Sequence, residues 1–352
     1  MKSLKVYQIV RHWGRVGGME IYVWELSHQL ALCGYDVTVI CEKSFELGAK
    51  NIRIVELGSI LKRPRYLSYL FFAIRVSVYL NARHIKVRNS IIHSHERSFV
   101  HYISTIHSSP YKPNFPYIHF LSFKTIIYSF LEKKEVLGCL DKHPIIVPVS
   151  DNLRQKLLFH YPEAGNYIFK SIAPGVSKPR TAKKNKSKDN IFTVGFIGKE
   201  WKRKGLFFFS EIVIALSNKI PNIRVIILGP EKKDIEWIFK NSNLNIFFAG
   251  WQKSEDFYSK MDLLIHPACD EAYGMVIAEA MAHNIPVIVS DKCGASMNVK
   301  EKNGSILKLS DPVDFWVNAC IFWLKKKKKI IGYERPWTEV VKEYNLIYKN
   351  IN

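Results

Sequence analysis

Long apolar runs are missing from this chain of 352 residues. No window reaches the roughly 18 uninterrupted apolar residues of a membrane-crossing helix. The nearest, YLSYLFFAIRVSVYL at 66–80, is too short and carries Arg75. The start, MKSLKVYQIVRHWG, turns polar after Val10, so it reads as a first strand instead of a secretory signal. Paired cysteines are missing too. Cys33, Cys41, Cys139, Cys269, Cys293 and Cys320 form no C-x-x-C pair, which argues against a zinc site and for reduced, buried thiols in a cytosolic protein. His93 and His95 have no cysteine pair to join them. G-x-G-x-x-G is absent, so dinucleotide redox chemistry is not supported. Helix-turn-helix, zinc-finger and RRM signatures are absent as well. Acidic residues are few: 31 Asp and Glu against 52 Lys and Arg leave a net charge of +21. That excess implies an acidic partner, whether an anionic membrane, a nucleic acid or a phosphorylated substrate.

What is present is enough apolar residue, 47%, for two cores. Strand-like and helix-like segments alternate as in β-α-β folds. KVYQIV at 5–10, the Gly-rich turn at 11–18, a helix over Glu20–Cys33 and YDVTVIC at 35–41 open the series. An aromatic, basic helix over Leu61–Arg88, strands at 90–96, 102–110 and 144–150, and a helix over Asp151–Phe159 continue it. The run SKPRTAKKNKSKDN at 177–190 is polar, basic and nearly free of apolar residues, which marks a linker. A second α/β series follows, with strands at 191–198, 223–229, 245–250, 262–267 and 286–290. Two doubly wound halves are expected, with ligands beyond the carboxyl ends of their strands. The expected domains are 1–176, the linker 177–190, 191–334, and a last helix over 335–352.

The densest chemistry lies in HPACDEAYGMVIAEAMAHNIPVIVS. Glu271 stands at the mouth of an expected helix, and Glu279 eight residues on, about two turns away. On one helix that spacing brings the two side chains within roughly 80° of one another, so both can face one cleft. The N–H groups of Gly274, Met275 and Val276 lie in the first turn, where an anion is favoured. In GFIGKEWKRKGL, Lys199, Arg203 and Lys204 bring cations to a strand end, where they can stabilise a departing phosphate. Gly17 and Gly18 follow the first strand and permit close backbone approach to a phosphate, although a tight turn explains them about as well. His95 and His107 each end a strand-like run. Ser150 reads as a helix N-cap.

Glu271 and Glu279, with Tyr273-Gly274 between them and a strand on either side, resemble the E-x7-E signature of retaining family 4 glycosyltransferases. Arg203-Lys204-Gly205, the GGME run ending in Glu20, and His107 after its strand are similar to the same family. DLLIHPACDEAYGMVIAEA and KCGASMNV resemble bacterial enzymes that add hexose to the lipopolysaccharide inner core. The resemblance implies the GT-B arrangement, two Rossmann-like domains facing across a cleft, and hexosyl transfer, glucose favoured, from a UDP-sugar to a membrane-linked saccharide. It implies catalytic roles for Glu271, His107 and Lys204. It further implies donor contacts from Gly17, Gly18, Lys199, Arg203, Lys204, Tyr273, Gly274, Met275, Val276 and Glu279, with His95 and Glu20 as further candidates. No cofactor and no metal are expected, and no D-x-D run is present. The expected partners are the UDP-sugar, the saccharide acceptor and the anionic inner-membrane surface, with no nucleic acid, and the expected location is cytoplasmic and peripheral to that membrane. The rival readings are a basic polyanion- or nucleic-acid-binding protein and another nucleotide-sugar enzyme of the same fold.

Overall fold

The computed structural model describes residues 4–85, 90–111, 122–138, 143–177, 191–326 and 330–351; most of the linker at 178–190 lies outside them. Two compact units form. Unit 1 holds 1–175 together with 336–352, and unit 2 holds 176–335.

In unit 1 the strands β1 (Lys5–Ile9), β3 (Asp36–Cys41), β5 (Ile52–Glu56), β6 (Ser90–Ser94), β7 (Ile103–Ile106) and β8 (Ile145–Pro148) form one parallel sheet in the order β5-β3-β1-β6-β7-β8. The two-residue strands β2 (His12–Trp13) and β4 (Lys43–Ser44) pair beside it. The helices are α1 (Gly18–Leu32), α2 (Arg65–Ala82), α3 (Phe123–Leu137) and α4 (Asp151–His160). Ser150 caps α4, its hydroxyl accepting from the Leu153 N–H at 3.2 Å, as its residue type suggests.

Unit 2 repeats the plan with β9 (Phe192–Ile197), β10 (Ile223–Leu228), β11 (Asn245–Gly250), β12 (Leu263–His266), β13 (Val287–Ser290) and β14 (Gly304–Leu307) in the order β11-β10-β9-β12-β13-β14. Its helices are α5 (Leu206–Lys219), α6 (Lys232–Ile235), α7 (Glu255–Tyr258), α8 (Met275–Ala282) and α9 (Val313–Lys325). The last helix, α10 (Trp337–Ile351), belongs to unit 1, where Trp337 stands edge-on to Tyr22 of α1 with ring centroids 5.2 Å apart.

Parallel strands covered by helices on both faces must be apolar nearly throughout, which is why FTVGFI and IRVIIL are apolar apart from Thr193 and the exposed Arg224. Val194, Phe196, Val225 and Ile227 pack with Phe209 and Val213 of α5 and Trp316 of α9 in the core of unit 2. In unit 1, Ile9, Ile40 and Ile92 pack with Phe72, Val76 and Leu80 of α2. Numbered within each sheet, both orders are 3-2-1-4-5-6, so the direction in which successive strands are added reverses beside the first strand. The loops after β1 and β6, and those after β9 and β12, therefore leave the carboxyl edge at a switch point, where open α/β sheets bind ligands.

Strand β5, helix α3, strand β14 and helix α9 have no counterpart in the sequence-based reading. Gly48 and Gly58 bracket β5, Gly138 follows α3, Gly304 opens β14 and Pro312 precedes α9, so local punctuation was present at each. One expectation on burial needs correction. Cys41, Cys293 and Cys320 are buried, but Cys33 and Cys269 are exposed because they sit at a helix end and in a loop; Cys139 lies outside the described residues. Phe72 is a core residue, and Tyr66, Tyr69 and Phe71 are half-buried, so the aromatic stretch of α2 mostly packs inward. Among the described residues, no helix is long and apolar enough to cross a membrane.

Candidate active site

At the switch point of unit 2, the loop after β9 meets the loop after β12. Gly205 has φ +79, and a Cβ there would stand 2.0 Å from the Pro267 carbonyl oxygen, so only glycine lets the two loops touch. Lys204 lies under this crossing, its chain filling the space beside Gly198. Its Nζ is 3.1 Å from Glu271 Oε2. Arg203 Nη1 is 3.3 Å from the same oxygen and donates to the Asp270 carbonyl, while Nη2 pairs with Glu200 at 2.6 Å. His266 Nε2, fully buried, stands 3.7 Å from Glu271 Oε2. Burial by itself raises the Glu271 carboxyl, but His266, Lys204 and Arg203 outweigh it and hold it well below the usual carboxylate range. The residue is an anion at neutral pH, locked between two cations. Lys199 is exposed at the mouth of the same loop.

The spacing argument for the two glutamates needs correction. Helix α8 begins only at Met275, because Gly274 sits in the left-handed region at φ +98 and ends the preceding loop. Glu271 lies in that loop, in a bridge with Cys293, and Gly294 N–H donates to its carbonyl at 2.9 Å. The loop and not a shared helix face aims its carboxylate. Glu279 is on α8, where its Oε2 accepts from Tyr258 at 2.6 Å and Ser254 at 3.2 Å. Burial raises its carboxyl, and those two hydrogen bonds oppose the shift. Both bonds end on Oε2. Gly274, Met275 and Val276 sit at the N-terminal end of α8, ahead of its first backbone bond, from Ile277 N–H to the Gly274 carbonyl. The Tyr273 ring is buried and its hydroxyl accepts from Asn298 at 3.1 Å, so the side chain braces the loop from within.

In unit 1, Gly17 caps α1 with extended backbone, Gly18 opens the helix, and Glu20 sits in its first turn. Glu20 Oε2 occupies the space that a Cβ on Gly17 would take, 2.4 Å away, and His12 lies 3.7 Å from Oε1. His95 and His107 meet: Nδ1 of the first is 3.0 Å from Nε2 of the second. Burial lowers His95 well below its ordinary range and His107 to about 3, so both rings are neutral.

Four residues escaped the sequence reading. Glu96, next to His95, is 7% exposed, and burial together with Glu20 and Glu135 pushes its carboxyl up to about 8 against Arg11 and Arg97. Its signal was present, as the polar end HSHE of an apolar strand. Arg11, paired with Glu42 at 2.5 Å, follows β1 in the same way. In the sequence His266 marks no more than the end of the strand at 262–267, and Tyr258 carries no local signal. Only the tertiary contacts single them out. Among the described residues, no group of three or more His, Cys, Asp or Glu is placed to hold a metal.

Two family models match the chain. That for glycosyl transferases group 1 covers 191–326, and that for glycosyltransferase family 4 covers 16–166. Lipopolysaccharide glucosyltransferase WaaG of Escherichia coli K12 is 28% identical over 113 residues, which is 30% of this chain and 30% of that protein. The matched part spans about a third of the first curated relatives, at 30%, 36% and 28% of their lengths. The solved structure of WaaG matches with a TM-score of 0.76 at 16% identity, over 96% of this chain and 94% of that one. The structure of Anabaena HepE in complex with UDP and glucose matches with a TM-score of 0.65 at 16% identity, over 98% and 99%. The fold is that of the GT-B glycosyltransferases.

Proposed function

We propose that this chain, which belongs to the family 4 glycosyltransferases, moves a hexose from a UDP-sugar to a saccharide acceptor of the cell envelope, with glucose and the lipopolysaccharide core favoured. The observation that carries the reading is the Lys204–Glu271–Arg203 cluster at the switch point of unit 2, beside the N-terminus of α8. Lys204 and Arg203, with Lys199, neutralise the donor diphosphate, and the first amides of α8 add partial positive charge. Glu271 accepts from sugar hydroxyls. Held as an anion, it also keeps the two cations in place. Oε1 of Glu279 accepts from the ribose. Unit 1 serves the acceptor.

No side chain at this cluster is arranged as a nucleophile with its own base. The balanced step is a same-face displacement. The acceptor oxygen bonds to the anomeric carbon as the bond from that carbon to the phosphate oxygen breaks. The hydroxyl proton passes to the departing phosphate, and UDP leaves. Configuration is retained. Lys204 and Arg203 act on the charge that grows on the leaving group.

A peripheral place on an anionic membrane fits this acceptor. The net charge of +21 supports it. So does α3, whose Phe123, Ile126 and Phe130 share one helical face and are 76%, 46% and 47% exposed, with Lys124 and Lys133 on the same helix.

The test is a thermal-shift panel of UDP, GDP and ADP sugars, followed by measurement of nucleotide release with and without acceptor. A true donor at a hundred times its dissociation constant stabilises by about 2.7 kcal/mol. Stabilisation by none of these nucleotides sinks the reading. Stabilisation by DNA instead supports the polyanion-binding alternative.

A further inference from the structure

A chain of hydrogen bonds runs from His107 to the C-terminal helix, wholly within unit 1. His107 Nε2 is 3.0 Å from His95 Nδ1, and His95 Nε2 is 2.7 Å from Gln8 Oε1. The Gln8 amide nitrogen donates to the Tyr348 hydroxyl at 3.5 Å. That hydroxyl is 2.8 Å from His93 Nδ1, and His93 Nε2 is 2.7 Å from Thr105 Oγ1. Thr105 Oγ1 is 2.6 Å from the Tyr344 hydroxyl, which is 2.9 Å from that of Tyr22. All these residues except His107 are buried.

The histidine end of the chain has one polarity. Burial keeps all three histidines neutral, so each ring holds one N–H and one bare nitrogen. Gln8 is the single link whose two ends differ chemically and cannot trade a proton. Its carbonyl oxygen only accepts, so His95 carries its proton on Nε2. His95 Nδ1 is then bare, and His107 must donate from Nε2. On the other side, the Tyr348 hydroxyl accepts from Gln8 and is hydrogen-bonded to His93, and His93, Thr105, Tyr344 and Tyr22 continue the chain, which holds the Gln8 amide in place.

We propose that Gln8 and the α10 tyrosines Tyr344 and Tyr348 are positioning residues that lock His107 in the tautomer protonated on Nε2, so that its Nδ1 is presented as a hydrogen-bond acceptor. The C-terminal helix thereby sets the chemistry of a histidine more than two hundred residues away in sequence. The kinetic consequence rests on the function proposed above and on the catalytic role that the family resemblance implies for His107; the tautomer itself does not.

The experiment is nitrogen NMR of the full chain labelled with 15N-histidine, with the His107 signals assigned by their loss in His107→Gln. The expected wild-type spectrum has His107 Nε2 protonated and Nδ1 bare. Gln8→Met, which removes both ends of the amide, and Tyr348→Phe, which removes one oxygen, should each turn His107 into a tautomer mixture; two variants guard against one that does not fold. Where sugar transfer is measured, each should lower kcat roughly 10–100-fold with donor KM little changed, by analogy with partners that orient metal-bound histidines. A wild-type His107 protonated on Nδ1, a wild-type mixture, or an unchanged tautomer in both variants overturns the proposal. A locked tautomer in a chain that binds no nucleotide sugar would instead count against the proposed function alone.

Discussion

The two units share a strand order and a switch point, yet load it with opposite electrostatics. In unit 2 the loop after β9 brings Lys204 and Arg203 onto Glu271, and the carboxyl is driven far below its ordinary range. In unit 1 the loop after β6 carries His95 and Glu96, the rings are neutral, and Glu96 is pushed up to about 8 and Glu135 to about 7, burial being the largest cause for both. Desolvation acts on both glutamates in the same direction. What differs is whether fixed cations stand close enough to overcome it: Lys204 and Arg203 both lie within 3.3 Å of one oxygen of Glu271, whereas Arg11 and Arg97 pair with Glu42 and Glu132 and not with Glu96. One scaffold thus keeps a glutamate ionised in one place and protonated in another.

Breaking the charged side of the comparison should have the largest effect. Lys204→Ala removes the cation nearest the leaving group and strands Glu271 beside Arg203 alone. Turnover is expected to fall about 10²–10³-fold, as for loss of one preorganised donor, with weaker UDP binding. Unchanged turnover and UDP affinity would reduce the cluster to a surface turn. Glu271→Gln comes next. It keeps the shape, removes the anion, and should lower turnover by the equivalent of about 2–4 kcal/mol while UDP affinity changes far less. Calorimetric titration beside initial rates separates the two quantities.

The pH dependence of stability sharpens the contrast, because the two signs are opposite. Glu271, lowered in the folded state, contributes stability that is present above its unfolded value of about 4.3 and is lost as pH falls below it. Glu96, raised to about 8, holds its proton in the folded state while the unfolded chain releases it near 4.3, so stability falls as pH rises from about 4.3 to about 8. Glu96→Gln should therefore stabilise the chain at pH 9, by about 1–3 kcal/mol, and change little at pH 4. Denaturant titrations at the two pH values check this, and equal effects at both would mean that Glu96 is ionised in the fold. The smallest effect belongs to the surface. Flotation with anionic liposomes should exceed that with neutral ones and weaken with salt, at about 1 kcal/mol per Lys or Arg engaged. Phe130→Ser should weaken it slightly further. Binding that ignores both lipid charge and salt would leave insertion of α3 as the whole cause.

Much of the scaffold was legible locally. The parallel strands announced themselves as apolar runs, Ser150 as a cap, and Lys204-Gly205 and Glu271 as chemistry at strand ends, because those signals depend on a few neighbouring residues. The start of α8 was misplaced since Ala272 and Tyr273 suit a helix as well as a loop, and only the conformation of Gly274 decides between them. The Tyr273 ring braces the loop, and an aromatic beside a motif carries no mark of which way it points. Composition, strand periodicity and the glycine and cation positions at loop mouths were thus determined by sequence alone. Which loops meet was decided by sheet order: β9 beside β12 carries Lys204 to Glu271, and α10 on unit 1 carries Tyr348 to within a hydrogen bond of Gln8, 340 residues away. Contacts between residues so far apart leave no periodic trace in the chain; close packing of the finished sheets selects them.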